Sequence, residues 1–181
     1  MGRGAPFAGA VWSFPMKIEL KHIQYSAALS QETAAYTAEI WIDGELAFHA
    51  RNQGTGGADF YHQVGRWTEG EVDAWLKANR SPRSFGDMTF DHDLEAEISD
   101  LLSRAVEGRR LKRLLRTNLL TIENDQILQY PLRKRPLATI ERAVRATNPD
   151  AVVVNDAGDE VFGRAWTFCS QATDTPNRRW P

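Results

Sequence analysis

T-A-A-Y-T-A-E-I-W-I-D-G-E-L-A-F-H-A, residues 33–50, is the stretch whose reading decides the fold. Thr33 to Ile42 is rich in β-branched and aromatic residues, a composition that suits a pleated, half-buried strand. Asp43-Gly44 follows at once, and Leu46 to Ala50 reads as the returning strand. An Asp-Gly pair between two such runs is the strongest short-range hairpin signal. Upstream, Ile18 to Ile23 alternates, with Ile18, Leu20 and His22 on one face and Lys17, Glu19 and Lys21 on the other. Three antiparallel strands are therefore expected early in the chain, with Tyr25 to Gln31 as a turn between the first two.

From Phe48 the chain continues F-H-A-R-N-Q-G-T-G-G-A-D-F-Y-H to His62. This predicts a loop, Gly54-Thr55-Gly56-Gly57, directly after the third strand. Thr68 to Asn79 is expected to be helical. Thr68 can cap it, Glu69 and Glu71 complement its first turn, and Val72, Trp75 and Leu76 make its buried stripe. Asn79 to Asp87 reads as a loop. A second helix is expected from Asp91 or Asp93 to Gly108, with Leu94, Ile98, Leu101, Leu102 and Ala105 inward and Gly108 ending it. The segment R-R-L-K-R-L-L-R after it has a helical face in Leu111, Leu114 and Leu115, but reads equally as a lead into a strand–turn–strand over 117–130. Pro131 and Pro136 bracket an extended or looped Leu132 to Arg135. Leu137 to Thr147 is a third helix, Ala151 to Asn155 an apolar strand, and Val161 to Phe168 a further strand. Hairpins outnumber βαβ units, so the fold class is α+β: antiparallel strands, two central helices, then a hairpin, a helix and one or two strands. A single domain, 16–168, is expected between a flexible leader, 1–15, and a flexible tail, 169–181. Met16 reads as a natural start, and Trp12 and Phe14 as the alternative, a binding arm.

The composition narrows the class further. One cysteine, Cys169, excludes an intrachain disulfide framework or a Cys-rich zinc site, and fits a reducing, cytoplasmic setting. No apolar run approaches the roughly 18–20 residues of a membrane span. The net charge of -2 hides an asymmetry. Residues 1–100 carry 8 Lys+Arg against 15 Asp+Glu, whereas residues 101–145 carry 11 against 4. Arg109, Arg110, Lys112, Arg113 and Arg116 fall within eight residues; Arg133, Lys134 and Arg135 follow, and Arg142 and Arg145 share a helix face. Such a set can hold phosphates without reading sequence. It serves equally as an ordinary solvated surface or as a dock for an acidic protein.

The glycine loop invites a different chemistry. Consecutive glycines can turn backbone N–H groups toward an anion, yet the Lys-Ser/Thr ending of a nucleotide-binding loop is absent, and a tight structural bend explains the glycines as well. If the loop folds back, Arg51 and His49 would meet phosphate and Tyr61 would stack on a base. His49, Asp59 and His62, with His22 nearby, would alternatively make a nitrogen-and-carboxylate metal site, although the spacing matches no tight metal signature. Asp91 and Asp93 around His92 are more simply helix-start aspartates. No nucleophile elbow marks a Ser/His/Asp triad, nothing activates Cys169, and no cofactor motif is present.

M-K-I-E-L-K-H-I-Q-Y-S-A-A-L-S-Q-E-T, then W-I-D-G, then N-Q-G-T-G-G resembles the N-terminal part of small uncharacterised proteins of phages and other bacterial mobile elements. The matching positions are Leu29, Ser30, Glu32, Thr33, Asn52, Gly54, Gly56 and Gly57, about a quarter of the chain. The resemblance implies a bacterial or phage origin and an accessory role. It transfers no catalytic residues. The expected function is non-catalytic binding of nucleic acid, or of host machinery that handles it, through the basic residues, with Arg51, Tyr61 and the loop residues Asn52, Gly54, Gly56 and Gly57 shaping the site. A small metal-dependent nuclease or hydrolase, and an inhibitor that binds a host-defence protein, stand as alternatives.

Overall fold

The computed structural model describes residues 15–124, 126–155 and 163. Apart from Pro15 and Gly163, the expected leader, the turn at 156–159, the strand at 161–168, Cys169 and the tail lie outside the described residues. The chain is α+β. It divides into two compact units, Met1–Leu102 and Ser103–Pro181.

The first unit is built on four antiparallel strands in chain order: β1 (Ile18–Tyr25), β2 (Tyr36–Ile42), β3 (Glu45–Asn52) and β4 (Phe60–Gln63). The Asp43-Gly44 turn has positive φ at both residues, 50° and 85°, and Ile42 faces Glu45 across it. That is the type I′ geometry whose twist matches the flanking strands. Tyr36, Ala38, Ile40 and Ile42 alternate inward, as the period of two demands. On β3 the alternation slips once. Ile40 pairs with Phe48 and Trp41 with Leu46, so Ala47 is the extra residue of a bulge, and both Ala47 and Phe48 are buried. The bulge carbonyl of Ala47 accepts the N–H groups of Val64 and Gly65, which ties down the end of β4.

Helix α1 (Glu69–Asn79) starts on the expected cap, Thr68, which together with Glu71 makes a full capping box. Thr68 Oγ1 accepts from the Glu71 N–H, and the Glu71 carboxylate accepts from the Thr68 N–H at 2.9 Å. Val72, Trp75 and Leu76 are buried as predicted. The segment read as a loop after α1 contains a small hairpin, β5 (Arg83–Phe85) and β6 (Met88–Phe90). Its turn, Gly86-Asp87, has positive φ at Gly86 alone, the II′ pattern.

Helix α2 (Leu94–Leu115) departs from expectation at its far end. Asp93 accepts the Ala96 N–H at 2.8 Å and starts it, as expected. Gly108 does not stop it. Its φ is not positive, and the basic segment 109–115 is helical rather than a lead into a strand. The side chain of Asn155 receives the last turn, donating to the Leu115 carbonyl at 3.2 Å and to the Asn118 carbonyl at 2.9 Å. That satisfies backbone oxygens a helix end leaves open.

In the second unit, β7 (Asn118–Glu123) lies between β8 (Gln126–Pro131) and the short β9 (Val152–Val153), all antiparallel. The central strand is buried from Leu119 to Ile122, so both faces of this sheet are covered. Leu120, Ile122 and Ile127 pack with Leu111, Leu114 and Leu115 of α2. Leu119 packs with Ile140 and Val144 of α3 (Leu137–Thr147). The unit is thus a helix–sheet–helix sandwich.

Because Gly108 is helical and a Cβ there would meet nothing within 4 Å, Gly108→Ala is expected to raise stability by about 0.5–1 kcal/mol. A higher urea midpoint at unchanged slope checks this. A loss of stability would mean that the helix stops at Gly108.

Candidate nucleic-acid interface

The glycine loop is occupied by the protein itself. Gly54 is buried, and its carbonyl accepts the N–H groups of Gln31, Glu32 and Thr33 at 2.8, 3.0 and 3.4 Å. Three amides do converge on an acceptor, but they belong to the preceding turn, and the acceptor is Gly54. Asn52 completes the lock. Its Oδ1 accepts from Gly54 N–H and from Thr33 Oγ1, both at 2.8 Å, and its Nδ2 donates to Asp59 Oδ1 at 2.9 Å and to the Gly57 carbonyl at 3.2 Å. A Cβ on Gly54 would sit 2.3 Å from the Leu29 carbonyl oxygen, and one on Gly56 would sit 2.5 Å from a Glu32 carboxylate oxygen. The two short motifs that carry the resemblance, around Leu29–Thr33 and around Asn52–Gly57, are therefore one interlocked structural device.

Asp59 belongs to this device and faces the core side of the sheet. It accepts from the phenols of Tyr36 and Tyr61, the latter at 3.0 Å. Burial, and then the Asp59 charge, push both phenols far above the ordinary tyrosine range, so each stays a donor. Tyr61 also sets its ring edge-on to Phe48, with centroids 6.4 Å apart. His49 and His62 pair directly across β3 and β4 and are exposed on the other face. The expected meeting of His49, Asp59 and His62 does not occur, because residues 59 and 61 share a strand face that 60 and 62 do not. Among the described residues no three His, Cys, Asp or Glu side chains are grouped as a metal ion requires. Arg51 and Tyr61 are separated for the same reason. Arg51 lies instead over the ring of Phe60, 4.6 Å from its centroid.

That outer face carries a row running Lys21, Glu39, His49, His62 across the four strands, and beside it Gln24, Thr37, Arg51, Phe60. An open depression of about 520 Å³ lies over these rows. Its centre is internally neutralised. Glu39 takes His22 Nδ1 at 2.8 Å and the Trp41 indole N–H at 2.9 Å, and these bonds hold its carboxyl below the usual range. His92, the histidine of the Asp91–Asp93 cluster, is buried against Glu97 at 2.9 Å, and Arg80 clasps the same carboxylate. Both carboxylate–histidine pairs are accounted for by internal partners.

The basic residues present a different picture. Arg109, Lys112 and Arg113 on α2, and Arg116 in the turn just past its end, follow the spacing i, i+3, i+4, i+7. The inward stripe of the same turns is Leu111, Leu114 and Leu115. All four cations are exposed. Arg110 lies to the side, 3.4 Å from Glu107. The β7–β8 hairpin then returns the chain to the end of this stripe. Asn118 pairs with Pro131, and the Leu132 N–H donates to the Thr117 carbonyl at 3.0 Å. Arg133, Lys134 and Arg135 thus lie beside the helix end that carries Arg116. Arg142 and Arg145 are exposed on α3, and Arg145 is bound to Glu141 at 2.9 Å.

Of the two readings the sequence leaves open for Leu132–Arg135, extended or looped, the segment takes the second, as a tight turn. The Arg135 N–H donates to the Leu132 carbonyl at 2.8 Å, and Arg133 and Lys134 have φ of 46° and 65°. This is a turn of the I′ kind without the Gly or Asn that normally supplies it. Two long cationic side chains in the left-handed region cost about 1–2 kcal/mol each. No residue type in the sequence signals this. Among the described residues Arg113, Arg116, Arg133, Lys134 and Arg142 have no carboxylate partner.

Compared with protein-family models, with curated proteins and with solved structures, the chain matches none.

The two glycines make a test of the loop's role. Gly54→Ala combines positive φ with a backbone clash and is expected to cost about 3 kcal/mol or more, whereas Gly57→Ala meets open space and pays only the backbone penalty of about 1–2 kcal/mol. Urea denaturation of both variants checks the order. Equal losses would contradict the interlocked geometry.

Proposed function

We propose that the protein binds nucleic acid through the cationic surface of its second unit, as a non-catalytic accessory protein of a phage or mobile element. The reading rests on one observation above all. Arg109, Lys112, Arg113 and Arg116 form an exposed helical stripe, and the hairpin places the strained Arg133-Lys134 turn beside its end. A surface used only for solubility has no need of two cations in left-handed backbone. Among the described residues, the guanidinium groups of Arg113, Arg116, Arg133 and Arg142 have no carboxylate partner and match phosphate oxygens in geometry. Clustered positive charge of this kind can hold phosphates without reading sequence.

Binding of labelled DNA and RNA to the full chain is expected to weaken steeply with salt. The double variant Arg113→Ala/Arg116→Ala should flatten the log–log salt dependence by about two ions on duplex DNA. Lys134→Gly is expected to act in opposite directions on two readouts. It should raise stability by about 1 kcal/mol, by removing left-handed strain, and reduce the salt slope by about one ion. Absence of binding at low salt would overturn the proposal, and pull-down of a protein from nuclease-treated bacterial lysate by the same residues would replace it with a protein partner.

A further inference from the structure

A groove of about 380 Å³ opens in the second unit between the end of β8, the Leu132–Arg135 turn and α3. Pro131, Ile140 and Val144 give it an apolar lining, Tyr130 forms one wall, and Arg133 and Arg135 stand on its rim. Its volume lies at the small end of the range of ligand sites, about 300–1,000 Å³. Its lining thus combines apolar and cationic residues.

We infer that this groove takes one unstacked nucleotide of a single strand, with its base against the Tyr130–Pro131–Ile140 lining and its phosphate at Arg133 and Arg135. The inference rests on the nucleic-acid reading above and narrows it from any polyanion to single strands. Three features select this occupant. A nucleotide joins a planar apolar body to a phosphate, which suits a slot whose lining joins apolar side chains to guanidinium groups. Duplex DNA keeps its bases stacked and paired, so it could contact the rim but not fill the slot. The wall is also rigid. Tyr130 donates its hydroxyl to Glu123 at 3.0 Å, and Glu123 is held further by Thr121 and by Asn148 Nδ2 at 2.6 Å. Burial alone would raise the Glu123 carboxyl, but these three hydrogen bonds outweigh it and keep the group below the usual carboxylate range. It therefore remains an acceptor at neutral pH, and the tyrosine ring keeps its position.

Besides the arginines and Tyr130, Thr147 is the polar side chain of the lining, and its hydroxyl donates to the Val144 carbonyl at 2.9 Å.

The test fills the slot and leaves every cation in place. Ala143 is exposed and lines the groove. In the full chain, Ala143→Trp is expected to weaken binding of fluorescein-labelled oligo-dT and oligo-U by about tenfold while a blunt DNA duplex of equal length binds unchanged. Ala143→Leu, a smaller filler with good helix propensity, should give a lesser loss of the same kind and guards against a tryptophan that disturbs α3. Unchanged oligo-dT binding in both filled variants would overturn the inference, and so would an equal loss on duplex. In either case the broader nucleic-acid reading stands if Arg113→Ala/Arg116→Ala still weakens both probes. If neither probe binds the unaltered protein at low salt, both readings fall.

Discussion

Burial of Leu111, Leu114 and Leu115 against the three-stranded sheet is the constraint from which the second unit follows. Leu111, fully buried, contributes about 1.5–3 kcal/mol, more than a typical surface ion pair, and the partly buried Leu114 and Leu115 add a share of the same kind. Once those side chains face the sheet, helical geometry leaves Arg109, Lys112, Arg113 and Arg116 no choice but to face out. The basic stripe is thus placed by its apolar neighbours. Asn155 then fastens the helix end to β7, and the hairpin brings the second group of cations to the same end.

The first unit answers to a different logic. Its polar residues are mostly consumed internally. Asn52 uses both ends of its amide, Gly54 offers its carbonyl to three amides, and Asp59 receives two phenols and an amide. A buried polar network of this kind is favourable only when every member is satisfied, and here the members satisfy one another. Chemistry-bearing residues concentrated in a short stretch of sequence can therefore belong to architecture rather than to a site.

What was legible in the sequence was local. Asp43-Gly44 and the Thr68–Glu71 box each carry their own geometric requirement within four residues, and both stand where expected. The helix end at Gly108 was misleading for a definite reason. The inward stripe Leu94, Ile98, Leu102, continued at the same spacing, falls on Ala105, Arg109, Lys112 or Arg113, and Arg116. A helix that changes its buried face midway loses its period when read as a single pattern, and the following glycine then looks like a stop. Strand β4 was hidden because four residues are too few to show alternation. The β5–β6 hairpin did carry a signal in Gly86-Asp87. The fate of His49, Asp59 and His62 depended on strand parity through a loop, which composition cannot supply. The left-handed Arg133-Lys134 turn had no local signature at all.

The irregularity in β1 has one more consequence. Its pairing with β2 shifts between Lys21 and Gln24, where His22 has φ of 50°. This strand is an outer member of its sheet, as is the four-residue β4. A kinked margin bearing Lys17 and Lys21 on one side, and a margin too short to template much on the other, give a second copy of the chain little straight backbone to zip onto. Both features of the margins oppose edge-to-edge self-association of the sheet.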